Sequence, residues 1–395
     1  MGALRLLLAL SVVLSHAGGF LGFQLAGGAF AVLIFFMVSG FLMQLVLTTR
    51  YDPIKDLKLF YSNRILRIFP LYWTTLASAL ALSFWLSSRG AGYFALVGSH
   101  LGSLGPRDAV ILAFTQLALI GSDVLLFLNI TSRGIGWSGG SADAPAMLLM
   151  INPPAWSLGI ELLFYALAPF LARRKAGWTI ALFALGVAAR TVLISSHNLT
   201  GLTADRFFPT ALPFFLAGML ACRWRAAITR HPTSSWVAGG GTILCLLSIS
   251  AVSVAGIRAG IPGQLFGLIF AGVAFVGIPA LFAFSNSPLV PAWVRRWDAE
   301  LGALSYPTYV VHWQVITAFD AFLPETAMRS ALIVAAVLSF AAILTRWVEA
   351  PIDRYRDRRR KRQPARVEKS EARSPSFGNR DFVGSKGDDS KSAPT

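Results

Sequence analysis

Residues 4–16 read LRLLLALSVVLSH. Apart from two serines, the run is apolar from end to end, but it carries Arg5 at its entrance and His16 at its exit. As a helix it turns ~100° per residue, so eleven positions amount to about 1100°, within about 20° of three full turns. Arg5 and His16 therefore lie along one stripe, about 16 Å apart on the helix axis. Titratable groups at membrane depth are costly, and they normally face the interior of a helix bundle and act there. A second reading makes Arg5 a positive-inside anchor and His16 an interfacial side chain.

The composition places this helix in a membrane. The chain of 395 residues is 55% hydrophobic and only 14% charged, where a soluble enzyme carries about a quarter charged residues; the mean hydropathy is +0.61. Apolar blocks of about 20 residues alternate with short polar or basic joints, as in a polytopic helical membrane protein. A large water-facing catalytic domain is excluded, because no polar stretch is long enough to fold as one. The net charge of +16 sits in the joints and in the tail RYRDRRRKRQPAR, a pattern that fits cytoplasmic loops and anionic lipid rather than nucleic acid. Cys222 and Cys245 both lie in apolar blocks, so neither a disulfide framework nor a metal cluster is indicated. The first block reads as a retained span rather than a signal peptide.

Eleven blocks stand out, over 3–21, 27–48, 67–87, 109–130, 156–172, 177–195, 207–222, 236–256, 263–285, 301–322 and 328–347. If all of them cross, Arg50, Lys55, Lys58, Arg64 and Arg67 fall on the opposite side from RRK 173–175 and every later basic joint. If one block between 87 and 156 does not cross, all the basic joints share one side, as the positive-inside rule demands. The block 109–130 is the candidate, since it holds Gln116 and Asp123 and runs into SRGIGWSGGSADAPAM. Non-helical backbone at membrane depth is tolerated where protein buries it or a wet cavity receives it. The expectation is an all-α bundle of about ten transmembrane helices over residues 1–355, with a re-entrant segment near 109–155. Both termini are then cytoplasmic, and the charged tail 356–395 is expected to be disordered.

Further polar residues interrupt the blocks. In FFMVSGFLM, Ser39 and Gly40 sit mid-span, where small residues allow close helix packing; no nucleophile elbow surrounds Ser39. In FYSNRILRIFPLYW, Arg64 and Arg67 are three apart and share a face, placed to hold a phosphate or pyrophosphate or to anchor lipid headgroups. In PAWSLGIELLFYALAPF, Glu161 opens an apolar helix with Tyr165 one turn on; a carboxylate there is expensive unless paired or working, and the spacing from Ser157 is one too long for a capping box. In LGALSYPTYVVHW, Tyr306, Tyr309 and His312 share a face, either as a functional row or as an interfacial belt. In RWVEAPIDRYR, Glu349 reads as a helix stop neutralised by Arg346, or as a functional carboxylate.

These stretches, with LRLLLALSVVLSH first and EAP last, occur in the order and rough spacing of the acyltransferase-3 family, which the chain resembles over residues 1 to 355. The family comprises membrane acyltransferases that O-acylate surface carbohydrates and related acceptors. The resemblance implies that His16 is catalytic, that Arg64 and Arg67 with Pro70 and Tyr72 serve the acyl-CoA donor, and that Trp156, Ser157, Glu161 and Tyr165 form a family motif. Two departures stand out: the family usually has several residues before its first arginine, and the hydrolase-like domain of some relatives does not follow the last block. Acceptor delivery is therefore expected within the bundle or through another protein.

The implied reaction moves an acyl group, most simply acetyl, from acyl-CoA (a co-substrate, with no permanently bound cofactor and no metal) to an acceptor hydroxyl. His16 is the expected base, since histidine titrates near neutral pH, with Glu161 orienting it if the fold brings them together. Arg64 and Arg67 would hold the CoA phosphates; Arg5 would assist them or stabilise an oxyanion. Ser39, Trp156, Tyr165, Tyr309 and His312 are expected to line the substrate cavity. The expected partners are acyl-CoA, a carbohydrate or glycolipid acceptor and membrane lipid, without nucleic acid, in a bacterial inner membrane. The competing classes are a transporter or flippase for a lipid-linked sugar, and a non-enzymatic membrane scaffold.

Overall fold

The computed structural model describes residues 1–361 except 21–23, 52–54, 91–92, 95–96, 99–103, 132–133, 138–144, 197–204, 229–239, 241–262, 289 and 325–327. The expected block 236–256 apart from Gly240, with Cys245, and the tail from 362 onward lie outside these residues. The described chain forms helices α1 (Gly2–His16), α2 (Gly28–Thr49), α3 (Leu57–Ser87), α4 (Pro106–Ala118), α5 (Trp156–Ala172), α6 (Ala176–Ser195), α7 (Phe208–Ile228), α8 (Gly263–Ser285), α9 (Ala292–Phe322), α10 (Arg329–Leu344) and α11 (Ala350–Lys361). A π-helical turn, Thr345–Glu349, joins the last two. Five described helices are long and apolar enough to cross a membrane: α2, α3, α5 with the turn before it, α6, and the continuous rod of α10 and α11.

Small residues decide which helices touch. α2 and α7 form the central pair. A Cβ on Gly40 would run into the carbonyl of Phe215, and one on Gly218 into the carbonyl of Met37. Without a solvent-driven apolar force in lipid, such close backbone approach is a main source of helix association. Phe215 then stacks between Phe36 and Phe164, with centroids 4.5 and 4.2 Å away, which ties α5 to the pair. α1 lies along α9, with Gly2 against Gly302 at one end and the rings of His16 and His312 stacked at the other. On the outside, Trp178, Leu185 and Val192 of α6 are exposed, the face a lipid-contacting helix presents.

The basic joints gather at one end of the bundle. Arg223, after α7, donates to the carbonyl of Arg174 in the RRK joint at 2.8 Å, and Arg359 of α11 reaches Ser62 of α3 at 3.1 Å. The opposite end holds the exits of α1, α3 and α9: Ser330 of α10 donates to the Ala17 carbonyl, and Trp85 packs on Phe322.

The longest helix described between α3 and α5 is α4, of 13 residues. The hydroxyl of Tyr72 and the indole N–H of Trp73, midway along α3, take the carbonyls of Gln116 and Leu117. The chain then turns back through Leu119, whose φ is positive, into a two-stranded hairpin of β1 (Leu128–Thr131) and β2 (Gly134–Trp137). The hairpin is pinned to the start of α4 by Asp108, which accepts the N–H groups of Gly105 and Ile135. The Gln116 side chain, an intramembrane polar group on the sequence alone, accepts the N–H of Ile151 at 2.6 Å and so satisfies the irregular return. These short strands are the one departure from all-α structure among the described residues. A second difference concerns the tail boundary: α11 continues to Lys361, held by Asp353–Arg356 and by the Arg359–Ser62 bond, so residues 356–361 are ordered.

Candidate functional site

Two cavities lie inside the bundle. The first, about 500 Å³, opens at the basic end and is lined by Arg5 of α1, Ser39 of α2 and Arg50 just after it, Arg64 and Arg67 of α3, Ser157, Glu161 and Tyr165 of α5, Tyr306 and Tyr309 of α9, and Asp353, Arg356 and Asp357 of α11. The second, about 310 Å³, lies toward the other end and is lined by Ser15 and His16, Gly28, Met147, Pro153, Pro154, Trp156, Asp205, Arg206, Tyr309 and Trp313. Val32 and Tyr309 belong to both walls. Both volumes fall within or close to the usual range for small-molecule sites, roughly 300–1,000 Å³.

The first cavity is cationic: five arginines face three carboxylates across it. Arg67 is paired at 3.8 Å with Glu349 and at 3.6 Å with Asp353. The partner of Glu349 is thus Arg67 and not the Arg346 that the sequence offered; the π turn swings the buried carboxylate inward. The guanidinium of Arg64 lies over the rings of Phe60 and Tyr165, and neither it nor that of Arg5 makes an ion pair among the described residues. Glu161 accepts hydrogen bonds from Ser39, at 2.7 Å, and from Tyr165. The two mid-span residues of α2 thus divide their work: Gly40 makes the helix contact and Ser39 faces the cavity.

The second cavity carries His16 on its wall, accessible from within. His16 Nδ1 lies 3.1 Å from His312 Nε2, and His312 Nδ1 lies 2.5 Å from the carbonyl of Tyr309. This row fixes the tautomers. A carbonyl only accepts, so His312 Nδ1 carries a proton and its Nε2 offers a lone pair to His16 Nδ1–H; the His16 ring also bonds the Val12 backbone one turn back, and in this tautomer the lone pair of His16 is on Nε2. The hydroxyl of Tyr309 donates to the Pro154 carbonyl at 2.9 Å and lies 2.7 Å from Ser157 Oγ. Tyr309 and His312 are buried, which rules out the interfacial-belt reading for both.

Arg5 and His16 do face the interior, but they open into different cavities, because the helical rise that aligns them also separates them. Glu161 does not reach His16. It belongs to the first cavity, bonded to Ser39 and Tyr165, and the imidazole takes His312 as its partner instead. Trp156 joins His16 in the second cavity and meets Phe36 edge-on at 6.3 Å. Residues not singled out from the sequence are Asp205, Arg206 and Trp313 in the second cavity and Arg356 in the first. Arg206 had one signal: it precedes the block 207–222, on the side away from the basic joints.

A family model described as an acyltransferase domain, Acyl_transf_3, matches residues 1–347. Comparison with curated proteins and with solved structures finds no match. The match takes in both cavities apart from the α11 side chains at the basic mouth, and the chain belongs to the acyltransferase-3 family and is a membrane O-acyltransferase.

Proposed function

We propose that the protein transfers an acyl group, in the simplest case acetyl, from acyl-CoA in the first cavity to a hydroxyl of a cell-surface or lipid-linked carbohydrate in the second. The observation that carries this reading is the shared wall at Val32 and Tyr309: a cationic chamber and a chamber holding the His16 imidazole meet there. Guanidinium groups are well matched to phosphates, which they bind bidentately, and Arg5 and Arg64 have no carboxylate partner to displace. The nucleotide end of CoA then sits at the basic mouth, with the pantetheine arm directed toward Tyr309.

His16 Nε2 takes the proton of the acceptor hydroxyl as the oxygen attacks the thioester carbonyl. The tetrahedral intermediate collapses with loss of the CoA thiolate, which recovers a proton from the imidazolium. His312 accepts the Nδ1–H bond throughout and holds the ring in the competent tautomer, the service an aspartate gives the histidine of a catalytic triad. In this reading the basic end faces the cytoplasm of a bacterial inner membrane, where acyl-CoA resides, and about ten spans put both termini there. The α3–α5 segment then enters and leaves from the far side.

The test is acetyl transfer from labelled acetyl-CoA by purified protein in nanodiscs. His16→Ala is expected to lower turnover by about 10²–10⁴, the usual contribution of a positioned base, while CoA still binds. Arg64→Gln is expected to weaken CoA binding by about tenfold or more, the loss of one charge-assisted contact. Undiminished turnover by folded His16→Ala protein would refute the base assignment.

A further inference from the structure

The second cavity holds a cation that the reaction itself does not require. Arg206 lines it just ahead of α7, with its guanidinium over the ring of Trp156 at 5.4 Å from the centroid. Its one hydrogen-bond contact is a weak one, Nη1 to Met147 Sδ at 3.6 Å. The neighbouring carboxylate, Asp205, is bonded to Arg190 instead. Asp123 accepts the backbone N–H of Phe208 at the start of α7 and is not on the cavity wall. Arg206 therefore makes no ion pair among the described residues: Asp205, although on the same wall, is paired with Arg190 and acts on Arg206 only at longer range, so the Arg206 donors stay open toward the cavity. The ring of Trp313, edge-on to His16 at 5.7 Å, supplies an apolar flank beside the base.

A half-buried guanidinium braced on an indole face, with its donors unspent, is a receptor for an oxyanion. We propose that Arg206 anchors an anionic group of the acceptor, a sugar carboxylate or phosphodiester, and so presents a neighbouring hydroxyl to His16 Nε2 across the second cavity. This rests on the acyl-transfer reading for the role of His16, but the anion site itself is a matter of binding and is tested as such.

The experiment measures equilibrium binding of octyl glucuronide, octyl glucosyl phosphate and octyl glucoside to the full chain in phosphatidylcholine nanodiscs, with wild type, Arg206→Gln and Arg206→Lys in parallel. Wild type is expected to bind one or both charged probes at least about tenfold more tightly than the neutral one, the scale of a charge-assisted contact. Which of the two binds distinguishes carboxylate from phosphodiester. Arg206→Gln is expected to reduce that preference to less than about twofold, while Arg206→Lys, which keeps the charge, retains part of it. Equal binding of all three probes by wild type, no binding of either charged probe, or an unchanged preference in Arg206→Gln would overturn the proposal. A preference abolished by adding phosphatidylglycerol to the nanodisc would also overturn it, assigning the site to a lipid headgroup. Because no acyl donor is present, a failure of acyl transfer leaves these outcomes distinct.

Discussion

A histidine works as a base only when one ring nitrogen is bare and the other is held. Under the proposed mechanism the holding group is a second histidine, whose Nδ1 lies against the Tyr309 carbonyl. His312 would then be a positioning residue, and its loss should be read in turnover rather than in donor affinity. His312→Phe is expected to forfeit about tenfold to a hundredfold in kcat, part of what a positioned base supplies, with KM for acetyl-CoA little changed. His312→Gln, whose amide oxygen can accept from His16 Nδ1, should retain more of the rate. If the two variants lose activity equally with parallel losses in thermal stability, His312 only packs. At this scale the sequence named both histidines of the row and Tyr309, since intramembrane polar groups are conspicuous. It offered the wrong partners for His16 and Glu349, because partnership across helices separated by some 300 positions leaves no local trace. Arg206 was passed over for the related reason that a lone arginine at a helix entrance looks like an anchor until the fold shows what it faces.

At the level of helices, the bundle depends on α2 crossing α7 at backbone distance. Gly40 and Gly218 permit this crossing, and Phe215 locks α5 to it. Gly218→Ala is expected to destabilise the protein by about 1–3 kcal/mol, the usual cost of overpacking, seen as a lower midpoint in thermal unfolding in detergent. Ser39→Ala, one position from Gly40 but facing the cavity, should leave that midpoint nearly unchanged; equal shifts for the two would contradict the division of labour between neighbours. The glycine contact was foreseeable in kind, as small residues mid-span signal close packing, though not in partner. The irregular build of the α3–α5 segment had a trace in the sequence, in Gln116 and Asp123 inside an apolar block and in the Gly- and Ser-rich stretch that follows it. The hairpin within it was hidden, since Gly and Ser provide no strand periodicity to read.

Across the whole molecule, the arrangement is two chambers end to end, with positive charge at the mouth of one and the His16 imidazole in the other. The helical membrane class followed from hydropathy, because in lipid the backbone must satisfy itself within helices. That Arg5 and His16 serve separate chambers was implicit in the 16 Å rise, but only the fold supplies the wall of Val32 and Tyr309 between them. Such a wall makes sense if donor and acceptor never share a compartment. The most direct test uses proteoliposomes with labelled acetyl-CoA sealed inside and a panel of membrane-impermeant neutral and acidic oligosaccharides outside. The account predicts label on external oligosaccharide, unlabelled CoA retained in the lumen, and neither product with His16→Ala. Label appearing only when donor and acceptor are supplied to the same face would contradict it.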